Sequence, residues 1–179
     1  MTARTQSANR RKRLPPLRGT FGSSLKAGLM GGFAISLLLT VYQIAPDFLQ
    51  AVLIPPALII VWIVTGIGAA MLSHNKIRNS QDGASVGMVA GIITGLIGGI
   101  TGMIIAALGL SFQFYGESVY DEFLTDTQIS SLIDAGFTDQ LIIISGSIMA
   151  AMFTCGLGGM FIAALLGRVG GWLYPKFSR

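Results

Sequence analysis

A chain of 179 residues with 52% hydrophobic side chains, only 11% charged ones and 24 glycines lacks the polar surface of a water-soluble fold, which carries about 25% charged residues and about 7% glycine. A net charge of +4 and the apolar excess exclude disorder of the whole chain, and glycine that does not recur at every third position excludes collagen. The composition predicts a multi-span integral membrane protein.

In chain order, residues 1–23 read as a basic, disordered cytoplasmic tail. Arg10, Arg11, Lys12 and Arg13 would meet anionic lipid headgroups there, at about 1 kcal/mol per charge. With no fold around so short a cluster, nucleic acid is not an expected partner. The membrane domain covers residues 24–173, with apolar spans at 27–45, 52–72, 84–110 and 141–167. None of the four contains Asp, Glu, Lys, Arg or His, and each is near or above the roughly 20 residues that cross a hydrocarbon core. The first ends at Pro46-Asp47. It is expected to be retained rather than cleaved as a signal, because Tyr42-Gln43-Ile44-Ala45-Pro46 offers no small-x-small site. Pro55-Pro56 predicts that the second helix begins properly near Pro55, where a missing N–H costs least. The third and fourth spans are long enough to tilt or project beyond the core. Residues 174–179 form a second cytoplasmic tail, with Trp172 and Tyr174 as interface anchors.

Charge sets the orientation. Arg4, Arg10, Arg11, Lys12, Arg13, Arg18 and Lys26 precede the first span, Lys76 and Arg78 lie between the second and third, and Arg168, Lys176 and Arg179 follow the fourth. All 12 basic residues therefore fall on one side of an even number of spans. The positive-inside rule places both termini in the cytoplasm, in the cell (plasma) membrane. The outer loop, residues 111–140, holds Glu117, Asp121, Glu122, Asp126, Asp134 and Asp139 and no base. Its apolar positions predict an amphipathic outer cover in which Asp126 or Thr127 caps a short helix ending before Gly136. Its acids lack the spacing of a calcium loop and read as a solvated face.

The strongest pattern is glycine at every fourth position of the third span. Gly83, Gly87, Gly91, Gly95 and Gly99 share one helix face, widened by Gly98, Gly102 and Ala106. The fourth span answers with Ser147, Ala151, Cys155, Gly159, Ala163, Gly167 and Gly171, and the first with Ser24, Gly28, Gly32, Ser36 and Thr40. Helices in lipid gain nothing hydrophobic by touching, so small residues that admit close backbone approach mark packing faces. These faces serve either packing within a four-helix bundle or contact with a second copy or a membrane-complex partner. Val89 and Ile93 read as lying off the stripe. Thr65-Gly66-Ile67-Gly68-Ala69 also resembles Cys155-Gly156-Leu157-Gly158-Gly159, the trace of two related hairpins or of small-residue convergence.

Little points to chemistry. Cys155 is the single cysteine, which excludes an intrachain disulfide and cysteine-based metal centres. His74 is the only histidine and stands in a polar loop with no visible catalytic partner. No metal, cofactor or enzymatic activity is expected. The leading expectation is a structural or assembly subunit associating through small-residue faces. A passive oligomeric pore or holin-like permeabiliser is the alternative, and a small transporter comes third.

Overall fold

The computed structural model describes residues 17–77, 79–108, 126–136 and 138–177. Among these residues the chain is helical throughout, joined by turns and with no strand. Four helical stretches are long and apolar enough to cross a membrane: Thr20–Ile44, Phe48–Leu72, Ser80–Ala107 and Ile144–Tyr174.

Helix α1 runs Leu17–Ile44 and is stopped by Pro46. It starts inside the stretch expected to be a disordered tail, so residues 17–23 are helical and continue the span toward the N-terminus. Arg10, Arg11, Lys12 and Arg13 lie outside the described residues. A short α2, Asp47–Val52, leads through Leu53 into α3, Ile54–Leu72, which carries its prolines in the first turn as the sequence predicts.

A 3-10 turn, His74–Lys76, connects to α4, Ser80–Ala107. Asn79 takes an extended conformation before α4, and its carbonyl accepts from the Asp82 and Gly83 amides. Of the outer loop, only the part from Asp126 onward is described. It forms α5, Asp126–Asp134, which turns at Gly136 with φ of +90°, a conformation that L side chains rarely adopt. Thr138 then caps α6, Asp139–Ala151. Among the described residues α5 makes no extensive contact with the long helices, and the rest of the expected amphipathic cover lies outside the described residues. The aromatic positions at the start of the loop lie outside the described residues.

The last span departs most from expectation. A π-helical segment, Met152–Gly158, separates α6 from α7, Gly159–Phe177. The Thr154 hydroxyl donates to the Ala150 carbonyl at 2.7 Å, which supplies that carbonyl with a side-chain partner. Gly156 and Gly158 lie in the same segment and loosen the turn further. α7 then continues to Phe177, through the residues expected to form the second tail.

In cross-section the long helices form a diamond. α4 packs on α1, α3 and α7, and α3 also packs on α1 and α7. α1 and α7 occupy the far corners without an extensive contact between them. α4 is the most buried span, at 44% against 18–28% for the other three.

Candidate functional site at the glycine seam

The glycines of α4 face the fourth span in a ladder. A Cβ added at Gly171 would run into the Gly83 carbonyl, one at Gly87 into the Gly167 carbonyl, and one at Gly91 into the Ala163 carbonyl. A Cβ at Gly95 would lie 2.5 Å from the Met160 Cα, and one at Gly99 would lie 2.7 Å from the Gly156 Cα. These are backbone atoms, which have little freedom to move aside. Gly102 ends the ladder, with its added Cβ 3.1 Å from the Cys155 Cβ. Ala151 and Ala163 are fully buried.

The structure thus brings Gly83, Gly87, Gly91, Gly95, Gly99, Cys155, Ala163 and Gly167 into one seam. Gly159 is the exception, because an added Cβ there would meet only its own helix, at the Thr154 carbonyl 3.7 Å away. At 3.6 residues per turn a strict four-residue stripe drifts by about 40° at each step. Within α7, which is α-helical from Gly159 onward, the row facing α4 therefore steps from Ala163 to Met160 and leaves Gly159 aside.

A second seam joins α1 to α4 with the roles reversed. Here glycines of α1 form notches for branched side chains: a Cβ at Gly28 would lie 2.7 Å from the Ile93 Cβ, and one at Gly32 would lie 2.8 Å from the Ile97 Cβ. Gly98 of α4 receives Ile35 in return. Ile93, expected off the stripe, is therefore a packing residue of its own seam. A third seam sets Gly66 of α3 against the Gly167 carbonyl and Gly170 of α7 against the Ile63 carbonyl. The sequence stripes did not include Gly170. Its signal is the adjacent pair Gly170-Gly171, which serves two helices from neighbouring faces.

Hydroxyls finish the interior. Ser24 donates to the Val86 carbonyl at 3.1 Å, Thr94 to the Gly28 carbonyl at 3.1 Å and Thr65 to the Val61 carbonyl at 2.7 Å. Ser36 and Thr101 share a 2.7 Å bond across α1 and α4. An unpaired hydroxyl in hydrocarbon costs several kcal/mol, so such bonds are conditions of burial. Thr40, included in the first-span stripe, bonds back to the Ser36 carbonyl of its own helix.

Beside the π segment, Trp62, Thr154, Cys155 and Gly159 border a cavity of about 170 Å³. The Trp62 Nε1 is buried there without a hydrogen-bond partner. At the basic end of the bundle, the Tyr174 hydroxyl lies 3.1 Å from the His74 Nδ1, tying the α3–α4 connection to the end of α7. Sequence reasoning left His74 alone because its partner is 100 residues away.

These contacts make the seams sensitive to a single methyl group. Gly66→Ala and Gly87→Ala each place a Cβ against a carbonyl oxygen and should lower stability in mild detergent by about 1–3 kcal/mol, the usual range for overpacking. Gly95→Leu should cost more. Gly68, two residues from Gly66, faces open space, and Gly68→Ala should be silent or slightly stabilising. Thermal unfolding of the purified variants checks the ranking, and equal responses at Gly66 and Gly68 would contradict it.

No family model, curated protein or solved structure matches the chain.

Proposed function

We propose that this chain is a structural or assembly subunit of the cell membrane: a compact, glycine-rich four-span bundle that presents a largely apolar outer surface to lipid and to membrane partners. The observation behind the reading is a bundle whose small-residue faces close on one another, so that the association expected through those faces passes to the outer side chains. Helix faces of small residues close on one another within the chain, and the buried hydroxyls of Ser24, Thr65 and Thr94 are spent on backbone carbonyls. A coupled transporter normally keeps ionisable groups at mid-membrane, and the expected spans hold none. Because the small-residue faces are consumed internally, partners would be met through large side chains. Phe33 and Met30 on α1, at 72% and 74% exposure, and Phe161 on α7, at 65%, are among the large side chains available for such contact.

Orientation rests on charge. All Lys and Arg fall on one side of the four spans expected from sequence, and Lys26 and Arg168 lie near that end of the helices that hold them. Ser23 bonds to the Leu72 carbonyl, and Tyr174 meets His74, so the start of α1, the α3–α4 connection and the end of α7 gather at one end of the bundle. That end is the cytoplasmic one by the positive-inside rule. Duplication of the first hairpin as the second has less support: α3 packs on α4, whereas α1 and α7 share no comparable contact, as a two-fold exchange would require.

Reporters fused at the N-terminus, near Lys76 and after Arg179 should therefore read cytoplasmic, and one near Asp126 external. A cytoplasmic signal near Asp126 would contradict the orientation.

Purification in mild detergent should recover the chain with a stoichiometric membrane partner or as a defined oligomer, and reconstitution should yield no selective ion current. A protein that is monomeric and partnerless under those conditions counts against the subunit reading. Reproducible unitary cation currents would favour the passive pore instead.

A further inference from the structure

The cytoplasmic end of the α4–α7 pair holds a feature that helix packing does not use. A groove of about 660 Å³ runs between these helices, lined by Gln81, Ala84, Ser85, Arg168, Val169 and Trp172. Its composition is amphiphilic in an ordered way: apolar Ala84 and Val169, polar Gln81 and Ser85, an interfacial tryptophan and one guanidinium.

Arg168 is the residue to explain. It belongs to the fourth membrane-spanning stretch, Ile144–Tyr174, six residues from its end. At 1.5 Å per residue its Cα lies about 9 Å inside that end, and one helical turn deeper than Trp172. Its neighbours Leu165 and Val169 are exposed apolar side chains, at 47% and 46%. Among the described residues Arg168 makes no hydrogen bond or ion pair. Asp82, in the first turn of α4, does not line the groove. A guanidinium cannot shed its charge, and at the boundary of hydrocarbon a charge needs a counterion or deep hydration. Arginine presents paired N–H groups that match the oxygens of a phosphate. The Ser85 hydroxyl donates to the Gln81 carbonyl at 3.0 Å, which fixes its rotamer beside the groove. Trp172, 42% exposed, marks headgroup depth on the same wall.

We propose that this groove binds the headgroup of an anionic phospholipid, with its phosphodiester oxygens on Arg168, further hydrogen bonds to Gln81, and the upper acyl chain along Ala84 and Val169. The proposal rests on the reading of this chain as membrane-spanning and gives it a lipid-specific contact in the cytoplasmic leaflet. This site is distinct from the diffuse attraction expected of Arg10, Arg11, Lys12 and Arg13, because it combines one cation with a shaped cleft.

The two tryptophans allow a direct test. In a Trp62→Phe background, Trp172 is the only indole, and its quenching by lipids brominated near the headgroup end of the acyl chain reports which lipid sits beside it. The full chain is reconstituted in vesicles of phosphatidylcholine with increasing phosphatidylglycerol, with one or the other lipid brominated. The expected result is about a fivefold apparent preference for phosphatidylglycerol beside Trp172, the equivalent of one basic residue at an anionic surface. Arg168→Gln should bring that preference close to one, Arg168→Lys should retain part of it, and replacement of Arg10, Arg11, Lys12 and Arg13 by Gln should leave it intact. Equal quenching by both lipids, or a preference that survives Arg168→Gln, overturns the proposal. Loss of the preference on replacing the tail residues would assign it to the tail and also overturns it. Competition by millimolar inorganic phosphate would identify a free anion as the occupant, against a lipid. A chain that does not enter the vesicles overturns both this proposal and the spanning reading; one that enters without preference overturns this proposal alone.

Discussion

Everything else in the structure depends on the contact of backbone with backbone between α4 and the fourth span. In water, two apolar helices associate because burial removes surface from solvent. In lipid that gain vanishes, and what remains is close packing, with weak Cα–H···O contacts where backbones approach. Both need the helix axes near each other, which side chains prevent. Glycine at Gly83, Gly87, Gly91, Gly95 and Gly99 removes the obstacle on one helix, and Ala163, Gly167 and Gly171 remove it on the other. The cost is intrinsic helix stability, about 1 kcal/mol per glycine in water. Hydrocarbon lessens that cost, because a backbone that leaves the helix there loses hydrogen bonds with no water to replace them.

The diamond arrangement follows from which faces are bare. α4 carries the longest small-residue faces and has them on two sides: Gly87, Gly91 and Gly95 toward α7, and Gly98 toward α1. It therefore takes the interior position and touches all three other spans. α1 offers one notched face, in Gly28, Gly31 and Gly32, and turns Phe33, Met30 and Leu37 outward. The hydroxyls then sit where the helices are closest, and their bonds to carbonyls of neighbouring helices add direction to contacts that packing alone would leave free to slide.

Much of this was legible in the sequence. Four spans, the breaks at Pro46 and Pro55, and the four-residue glycine period are local features that hydropathy and side-chain size display directly. The α4 stripe could be read because an uninterrupted α-helix converts a period of four into one face. The fourth span resisted the same reasoning because Met152–Gly158 is π-helical, and no residue there forbids an α-helix as proline would. Gly159 leaves the seam for a simpler reason: at 3.6 residues per turn the row facing α4 steps from Ala163 to Met160. Knob-and-notch pairs such as Ile93 over Gly28 were hidden for another reason: an isoleucine in an apolar span looks the same whether it faces lipid or a glycine 65 residues away. The His74–Tyr174 contact and the groove around Arg168 are likewise products of tertiary placement. Arg168 was read as lying beyond the membrane because the apolar run stops at Gly167, while the helix continues to Phe177.

That the seam closes within one chain can be measured with a single substitution. Cys155 is the only cysteine, and a Cβ added at Gly102 would lie 3.1 Å from the Cys155 Cβ and 3.5 Å from its Sγ. This is a few tenths of an ångström short of the usual disulfide separation of about 3.5–4.5 Å, beside a π segment with room to adjust. Oxidation of the Gly102→Cys variant in membranes, followed by intact-mass and free-thiol analysis, should give a monomer that has lost both thiols. Two free thiols after oxidation, or a disulfide-linked dimer, would mean that the α4 stripe does not face the fourth span of its own chain.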